Sequence, residues 1–107
     1  MQFTEPMKGR LRRHLLDRGH ILATLLSEVL AAKPRAVLSA TSLEAGKPGM
    51  RPEEKVRYAL DQIERQRELL EVDDDRFGCC EMCGVELGDS AISEMPWADR
   101  CQAHAAR

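Results

Sequence analysis

The segment FGCCEMCG, residues 77–84, carries three of the four cysteines of this 107-residue chain. The fourth cysteine and a histidine follow, which gives the spacing Cys80-x2-Cys83-x17-Cys101-x2-His104. Two x2 pairs separated by a loop are typical of a tetrahedral zinc site, because a gap of two residues lets both side chains of a pair reach one metal ion. The glycine after the second cysteine suits such a turn, since glycine tolerates a positive φ. The pattern predicts one structural Zn2+ bound by Cys80, Cys83, Cys101 and His104.

Two alternatives to this assignment stay open. The four cysteines could instead form two disulfides, although clustered cysteines in cytoplasmic proteins more often bind metal. Cys79 directly precedes Cys80 and has an x3 gap to Cys83, so it does not fit the pattern of two x2 pairs. We therefore expect Cys79 to be a bystander, a substitute ligand or a thiol that oxidises onto a zinc-bound neighbour.

The stretch between the two ligand pairs is too short to build a core of its own. Leu87, Ile92 and Trp97 are its expected packing anchors. Metal binding would supply the stability that packing cannot. The sequence therefore predicts a small C-terminal zinc finger over residues 77–107.

Two long helices are predicted before the finger. The first spans about residues 4–32 with Thr4 as N-cap, and the second spans about residues 52–75 and opens at Pro52. The apolar stripes are Leu11, Leu15, Leu22, Leu25 and Val29 on the first helix, and Val56, Leu60, Ile63 and Leu70 on the second, with Ala59 and Val72 alongside. Matching stripes predict a mainly α fold, in which residues 1–76 form an antiparallel helical hairpin (a coiled coil).

The connection between the two helices, residues 33–51, is interpreted as the tip loop of the hairpin. Its prolines and glycines interrupt the helical pattern, while residues 36–45 could form a helical turn or two. It contains no aspartate, and its single acidic residue is Glu44.

Charge and hydropathy exclude several classes of protein. Residues 1–50 hold eight Lys/Arg and four Asp/Glu, whereas residues 77–107 hold two and five, so the cysteine-rich end is a poor phosphate-binding surface. No apolar run approaches the ~20 residues of a membrane span, and the N-terminal residues do not resemble a secretory signal. We expect a cytoplasmic, monomeric protein that is not an enzyme and that does not recognise DNA directly. His14 and His20 are expected to be solvated positions of the first helix.

The finger resembles a known family in both residue type and spacing. The segment Phe77-Gly78-x-Cys80-x2-Cys83-Gly84-Val85-Glu86-Leu87-Gly88, followed by Pro96-x4-Cys101-x2, is similar to the signature of the DksA/TraR zinc-finger proteins. The finger match covers residues 77–104, and the second helix also has the family's amphipathic approach to the finger. The match weakens before about residue 52.

The resemblance implies a bacterial regulator of transcription initiation that binds RNA polymerase directly. In that family the hairpin enters the secondary channel of the polymerase, and the tip acts near the active site. Carried onto this chain, the tip contacts would fall to Leu43 and Glu44. Three features depart from the family: the tip lacks its Asp-x-x-Asp-x-Ala motif, the last ligand is His104 instead of cysteine, and residues 91–96 lack its arginine. The missing arginine gives little support to binding of the family's alarmone, guanosine tetraphosphate.

Two other functions fit the sequence. The chain could be a zinc-stabilised protein-interaction module whose partner is not polymerase. It could also be a thiol redox sensor that uses Cys79 and Cys80, and this role is compatible with polymerase binding.

Overall fold

The computed structural model describes residues 3–43, 47 and 49–104. In these residues the helices are α1 (Glu5–Leu30), α2 (Pro34–Thr41), α3 (Pro52–Glu71) and α4 (Asp89–Glu94). Within the same residues there is no β-strand, and the prediction of a mainly α fold is confirmed for this part of the chain. None of these helices combines the length and the apolar character that a membrane crossing requires.

Helix α1 begins and ends through local backbone signals. Thr4 is its N-cap, as predicted: the Thr4 Oγ1 atom accepts a hydrogen bond from the Met7 N–H at 3.3 Å. The helix stops at Leu30, because Ala32 adopts a left-handed conformation with a φ of 59°. The N–H of Lys33 then bonds back to the carbonyl of Glu28 at 3.1 Å, which is the closing bond of a Schellman motif.

The segment interpreted from sequence as a tip loop contains a helix of eight residues, α2. Pro34 occupies its first turn, where a missing N–H has no cost and the fixed φ is already helical. Ala36 and Ala40, one turn apart on the same face, are both buried. The helical turn or two expected within residues 36–45 therefore corresponds to α2, where these two small side chains are buried.

Helix α3 begins at Pro52 as predicted but ends at Glu71, four residues before the predicted end. Asp73 has a φ of 54°, and the Asp74 N–H bonds to the Leu69 carbonyl at 2.9 Å. Because the helix ends in this left-handed conformation, Val72 does not share the buried face of α3, and its side chain is 70% exposed. The expectation that Val72 lies alongside the stripe, within the second helix, was wrong for this reason.

The chain forms two compact units, and the first contains Met1–Leu16 and Gln62–Arg107. Its buried apolar side chains come from α1, from α3 and from the cysteine-rich segment: Leu11, Leu15, Ile63, Leu70, Phe77 and Ile92. Two ion pairs join the start of α1 to the end of α3, namely Lys8–Asp73 and Arg12–Glu71. Residue numbers rise along α1 as they fall along α3, so these ends of the helices run antiparallel. The predicted division of the chain at residue 76 stays a prediction.

The second unit is Asp17–Asp61. Leu22, Val56 and Ala59 of the predicted stripes are buried in it, together with the two alanines of α2. Leu25 and Val29 are only half-buried. The apolar pattern of α1 is therefore most deeply buried at Leu22 in this unit.

Candidate metal centre

The first pair of predicted ligands lies on a tight backbone turn. The Gly84 N–H bonds to the Cys80 carbonyl at 2.8 Å, and the Cys80 N–H bonds to the Val85 carbonyl at 2.9 Å. Gly84 has a φ of 77°, which confirms the expected positive φ at this position. Next to this turn, Cys79 and Glu86 form an isolated antiparallel β-bridge. The backbone alone thus holds Cys80 and Cys83 on one side of the turn.

In the chain, α4 and a buried proline precede the second pair of predicted ligands. Ile92 of α4 and Pro96 are fully buried, so they form the small apolar centre of the finger. After them, the His104 N–H bonds to the Cys101 carbonyl at 3.0 Å, which closes a turn around the second pair. Of the predicted anchors, Ile92 is the buried one, while Leu87 and Trp97 are half-buried.

The structure brings the four predicted ligands together. One ligand atom from each of Cys80, Cys83, Cys101 and His104 lies within 4.8 Å of all the others. The Cys83 and Cys101 Sγ atoms are 3.8 Å apart, and the His104 Nδ1 atom lies 3.7 Å from the Cys80 Sγ atom and 3.1 Å from the Cys101 Sγ atom. With Zn–S bonds of about 2.3 Å, two sulfurs of a tetrahedral site lie roughly 3.8 Å apart. The arrangement is therefore compatible with a zinc site in which Nδ1 is the histidine donor.

The surroundings of the cluster shift the pKa values of Cys80 and Cys83 in opposite directions. None of the four cysteines, all of which lie in the described residues, is in a disulfide. Burial raises the pKa of the Cys80 thiol, but backbone N–H groups, including those of Cys101 and Cys83, outweigh it and bring that pKa to about 6. The Val85 N–H acts to lower the pKa of Cys83, yet burial and the neighbouring thiols raise it overall. Because the thiolate is the form that binds metal, the lowered pKa of Cys80 favours the metal-binding form of this residue.

Cys79 lies outside this cluster. Its side chain is half-buried, and its Sγ atom lies 3.4 Å from the Asp75 carbonyl oxygen. Cys79 is not one of the four residues whose donor atoms converge. Its role as a redox thiol stays a prediction.

A polar network beside the ligands was missed by the sequence analysis. Asp99 is only 3% exposed, and its carboxylate accepts hydrogen bonds from Gln62 Nε2 at 2.9 Å and Arg65 Nη2 at 3.5 Å. Burial, followed by the charge of Glu81, raises the pKa of Asp99, while the Gln62 hydrogen bond and the nearby arginines oppose that rise. The partners are more than 30 positions apart in the chain, so no local pattern could have indicated the network.

One sequence expectation about histidine was wrong. His14 of α1 is half-buried, and its ring meets the Trp97 ring edge-on, with centroids 5.2 Å apart and an interplanar angle of 85°. Edge-to-face packing of this kind is a favourable aromatic geometry. Trp97 thus anchors the finger segment to α1 within the first unit. His20 is exposed, as expected.

At the predicted tip, only one of the two candidate residues can be placed. Leu43 is half-buried and lines a groove of about 540 Å³ together with residues of α1 that include Ile21 and Leu25. Lys55 Nζ donates to the carbonyls of Thr41 at 2.9 Å and Leu43 at 3.3 Å, which fixes the chain after α2. Glu44 lies outside the described residues.

Comparison with known proteins gives a consistent result. The chain is 32% identical over 90 residues to proteins named RNA polymerase-binding transcription factor DksA from Escherichia coli (strain K12), Salmonella typhimurium (strain LT2) and Shigella flexneri. The chain is similar to DksA. The match covers 84% of this chain but 58% of each relative, so the chain spans little more than half the length of the DksA proteins it matches. No family model matches the chain, and no solved structure matches it.

The identity to DksA extends well beyond the finger signature. Ninety aligned residues exceed the 28 residues of the segment 77–104, so the helical region contributes to the match. This supports a DksA-like relationship over most of the chain. The matched proteins are named as transcription factors and not as enzymes.

Proposed function

We propose that this chain is a DksA-like transcription regulator that binds RNA polymerase directly, without sequence-specific contact to DNA. The observation that carries the proposal is the 32% identity to RNA polymerase-binding transcription factors over 84% of the chain. Such a role needs no catalytic group, and it would place the protein in the bacterial cytoplasm as a monomer.

The helices would act as an antiparallel coiled-coil hairpin in the secondary channel of the polymerase. The ion pairs Lys8–Asp73 and Arg12–Glu71 support this arrangement. From one pair to the other, the residue number rises in α1 and falls at the end of α3, as it does between antiparallel helices. Leu43 and Glu44 would be the residues of the tip that contact polymerase. The hydrogen bonds from Lys55 to the Thr41 and Leu43 carbonyls support a fixed position for Leu43.

One structural Zn2+ would be held by Cys80, Cys83, Cys101 and His104. The donor set fits this ion, since three thiolates and one imidazole are typical of structural zinc. When bound, the metal would supply folding free energy to a finger whose largest fully buried side chains, within residues 77–104, are Ile92 and Pro96. A role for guanosine tetraphosphate gains no support from the described residues.

The first test is binding of the zinc-loaded protein to RNA polymerase core, with a transcript-cleavage factor as competitor for the secondary channel. We expect saturable binding that the competitor displaces. Binding without displacement would contradict the secondary-channel proposal. No binding by protein of verified zinc content would contradict polymerase binding and favour the interaction module with another partner.

The tip is tested separately in a promoter assay in vitro. We expect Leu43→Ala and Glu44→Ala to change transcript yield while leaving the helical circular dichroism signal intact. The matched control is Val72→Ala, since Val72 is exposed and lies beyond the end of α3. If both tip variants behave like the control, the tip assignment is wrong even where polymerase binding holds.

A further inference from the structure

A buried carboxylate lies between α3 and the two ligand pairs. Asp99 is 3% exposed, comes two residues before Cys101, and belongs to the same compact unit as Gln62 and Arg65 of α3. Buried carboxylates are rare unless their oxygens are paired, so the position needs a physical reason. Its partners provide that reason.

Asp99 links the two ligand pairs through its backbone. Its carbonyl accepts a hydrogen bond from the Glu81 N–H at 2.8 Å, and Glu81 directly follows Cys80. Each pair is shaped by its own turn, but a turn cannot set the distance between pairs that are 17 residues apart in the chain. This hydrogen bond joins the segment that leads into Cys101 to the turn that carries Cys80.

The side chain of Asp99 fixes the same segment to α3. Gln62 Nε2 donates to Oδ1 at 2.9 Å, and Arg65 Nη2 lies 3.5 Å from Oδ2. The same arginine reaches Glu81 at 3.4 Å, so one guanidinium contacts both segments. Arg100 adds a shorter contact to Glu81, at 2.6 Å. The carboxylates of Asp99 and Glu81 are thus held by a single network that ends on α3.

We propose that Asp99 is a positioning residue of the metal centre, which places Cys101 and His104 opposite Cys80 and Cys83 before the metal binds. The inference rests on the zinc site proposed above. Its physical basis is preorganisation: groups that are already held in place lose less freedom when the ion binds, and partners of metal ligands commonly change affinity about 10–100-fold when they are removed.

The test measures metal binding by the full chain, with no activity assay. Zinc affinity is obtained by competition with a chromophoric chelator, and the ligand geometry is read from the visible absorption of the Co2+-substituted protein. We expect Asp99→Ala to weaken zinc binding about tenfold to a hundredfold and to alter the Co2+ bands. Asp99→Asn keeps an acceptor oxygen for Gln62, so it should cost less than tenfold.

Gln62→Met provides a variant outside the finger, in case Asp99→Ala does not fold. It removes the closer donor to Asp99 and retains a side chain of similar length on α3. We expect a several-fold loss of zinc affinity. The matched control is Glu94→Gln, an exposed carboxylate between the two ligand pairs that should bind zinc like the wild type.

A purely structural role for Asp99 makes a different prediction. Leu15→Ala, in the core of the same unit, should lower the melting temperature and leave the Co2+ spectrum unchanged. If the Asp99 and Gln62 variants behave in that way, or bind zinc like the wild type, the proposal is overturned. If the wild type itself binds no zinc, the zinc site fails instead, and the two failures are distinguishable.

Discussion

The Lys8 Nζ atom lies 2.7 Å from the Asp73 Oδ1 atom, across 65 positions of the chain. The lysine side chain is 9% exposed, whereas the aspartate side chain is 75% exposed. The hydrogen bond from Lys8 to Asp73 raises the pKa of Lys8, against the opposing effect of burial. Asp73 therefore has two roles: it ends α3 in a left-handed conformation, and it pairs with the ammonium group of Lys8, whose side chain is largely buried.

Asp73→Ala is expected to lower the melting temperature by several degrees, measured by circular dichroism in zinc-containing buffer. The change leaves the Lys8 ammonium without its partner and places alanine in a conformation that favours Gly, Asn or Asp. Asp73→Asn keeps both an acceptor oxygen and tolerance of that conformation, so its loss should be smaller. Asp75→Ala, an exposed carboxylate two residues away, is the control. Equal losses for Asp73→Ala and Asp75→Ala would contradict this account.

A pH dependence follows from the neighbouring residue, Asp74. Hydrogen bonds from the Arg76 side chain and backbone N–H lower the pKa of Asp74 from 3.8 to about 2. Between these values the unfolded chain binds more protons than the folded one, so stability rises with pH. The advantage of the wild type over Asp74→Asn should be full above pH 3.8 and should disappear as the pH falls through about 2.

The measurement for Asp74 is the difference in melting temperature between wild type and Asp74→Asn as a function of pH. Acid also protonates zinc ligands, but that effect acts on both proteins and cancels in the difference. Arg76→Gln should remove most of the dependence, because it removes the side-chain donor. A difference that stays constant from pH 7 to pH 3 would show that the pKa of Asp74 is not lowered.

How much could be predicted from the sequence depends on the range of the interactions. Each pair of candidate ligands follows from a local turn and a two-residue gap, so Cys80, Cys83, Cys101 and His104 could be proposed as ligands from the sequence. The N-cap at Thr4 and the start of α3 are equally local. The Lys8–Asp73 ion pair and the network around Asp99 depend on partners 34 to 65 positions away, which the spacing of apolar residues does not indicate.

Zinc removal is expected to open the finger while much of the helical structure remains. Trp97, the single tryptophan, packs against His14 and reports on the finger. We expect a chelator to red-shift its fluorescence, with a smaller fractional loss of the helical circular dichroism signal, because α1 and α3 bury apolar residues of their own. Re-addition of Zn2+ should restore the emission. Unchanged emission in protein shown to have lost its zinc would contradict the stabilising role of the metal.

His104 can be tested as the fourth ligand by exchanging its donor atom. His104→Cys is expected to retain tight zinc binding and to shift the Co2+ absorption bands, because sulfur replaces nitrogen. His104→Ala should weaken zinc binding, since it removes the fourth protein ligand and leaves only water to fill that coordination position. His20→Ala, which changes an exposed histidine of α1, is the control. Wild-type affinity in His104→Ala would remove His104 from the ligand set.

The predicted redox role of Cys79 can be separated from metal binding. Because the Cys79 Sγ atom is outside the convergent cluster, Cys79→Ser is expected to bind one Zn2+ with wild-type affinity. Hydrogen peroxide should release zinc from the wild type, as two thiols form a disulfide and peroxide is reduced to water. Cys79→Ser should slow that release if Cys79 is one of the reacting thiols.

The control for peroxide treatment is Met82→Leu, because Met82 is an exposed sulfur-containing residue between Cys80 and Cys83. Its oxidation could also disturb the finger, and the substitution removes that route. Release is followed with a zinc-sensitive dye under a constant excess of peroxide. Equal rates in the wild type and in Cys79→Ser would leave Cys79 without a redox role and would assign zinc release to oxidation of the ligands themselves.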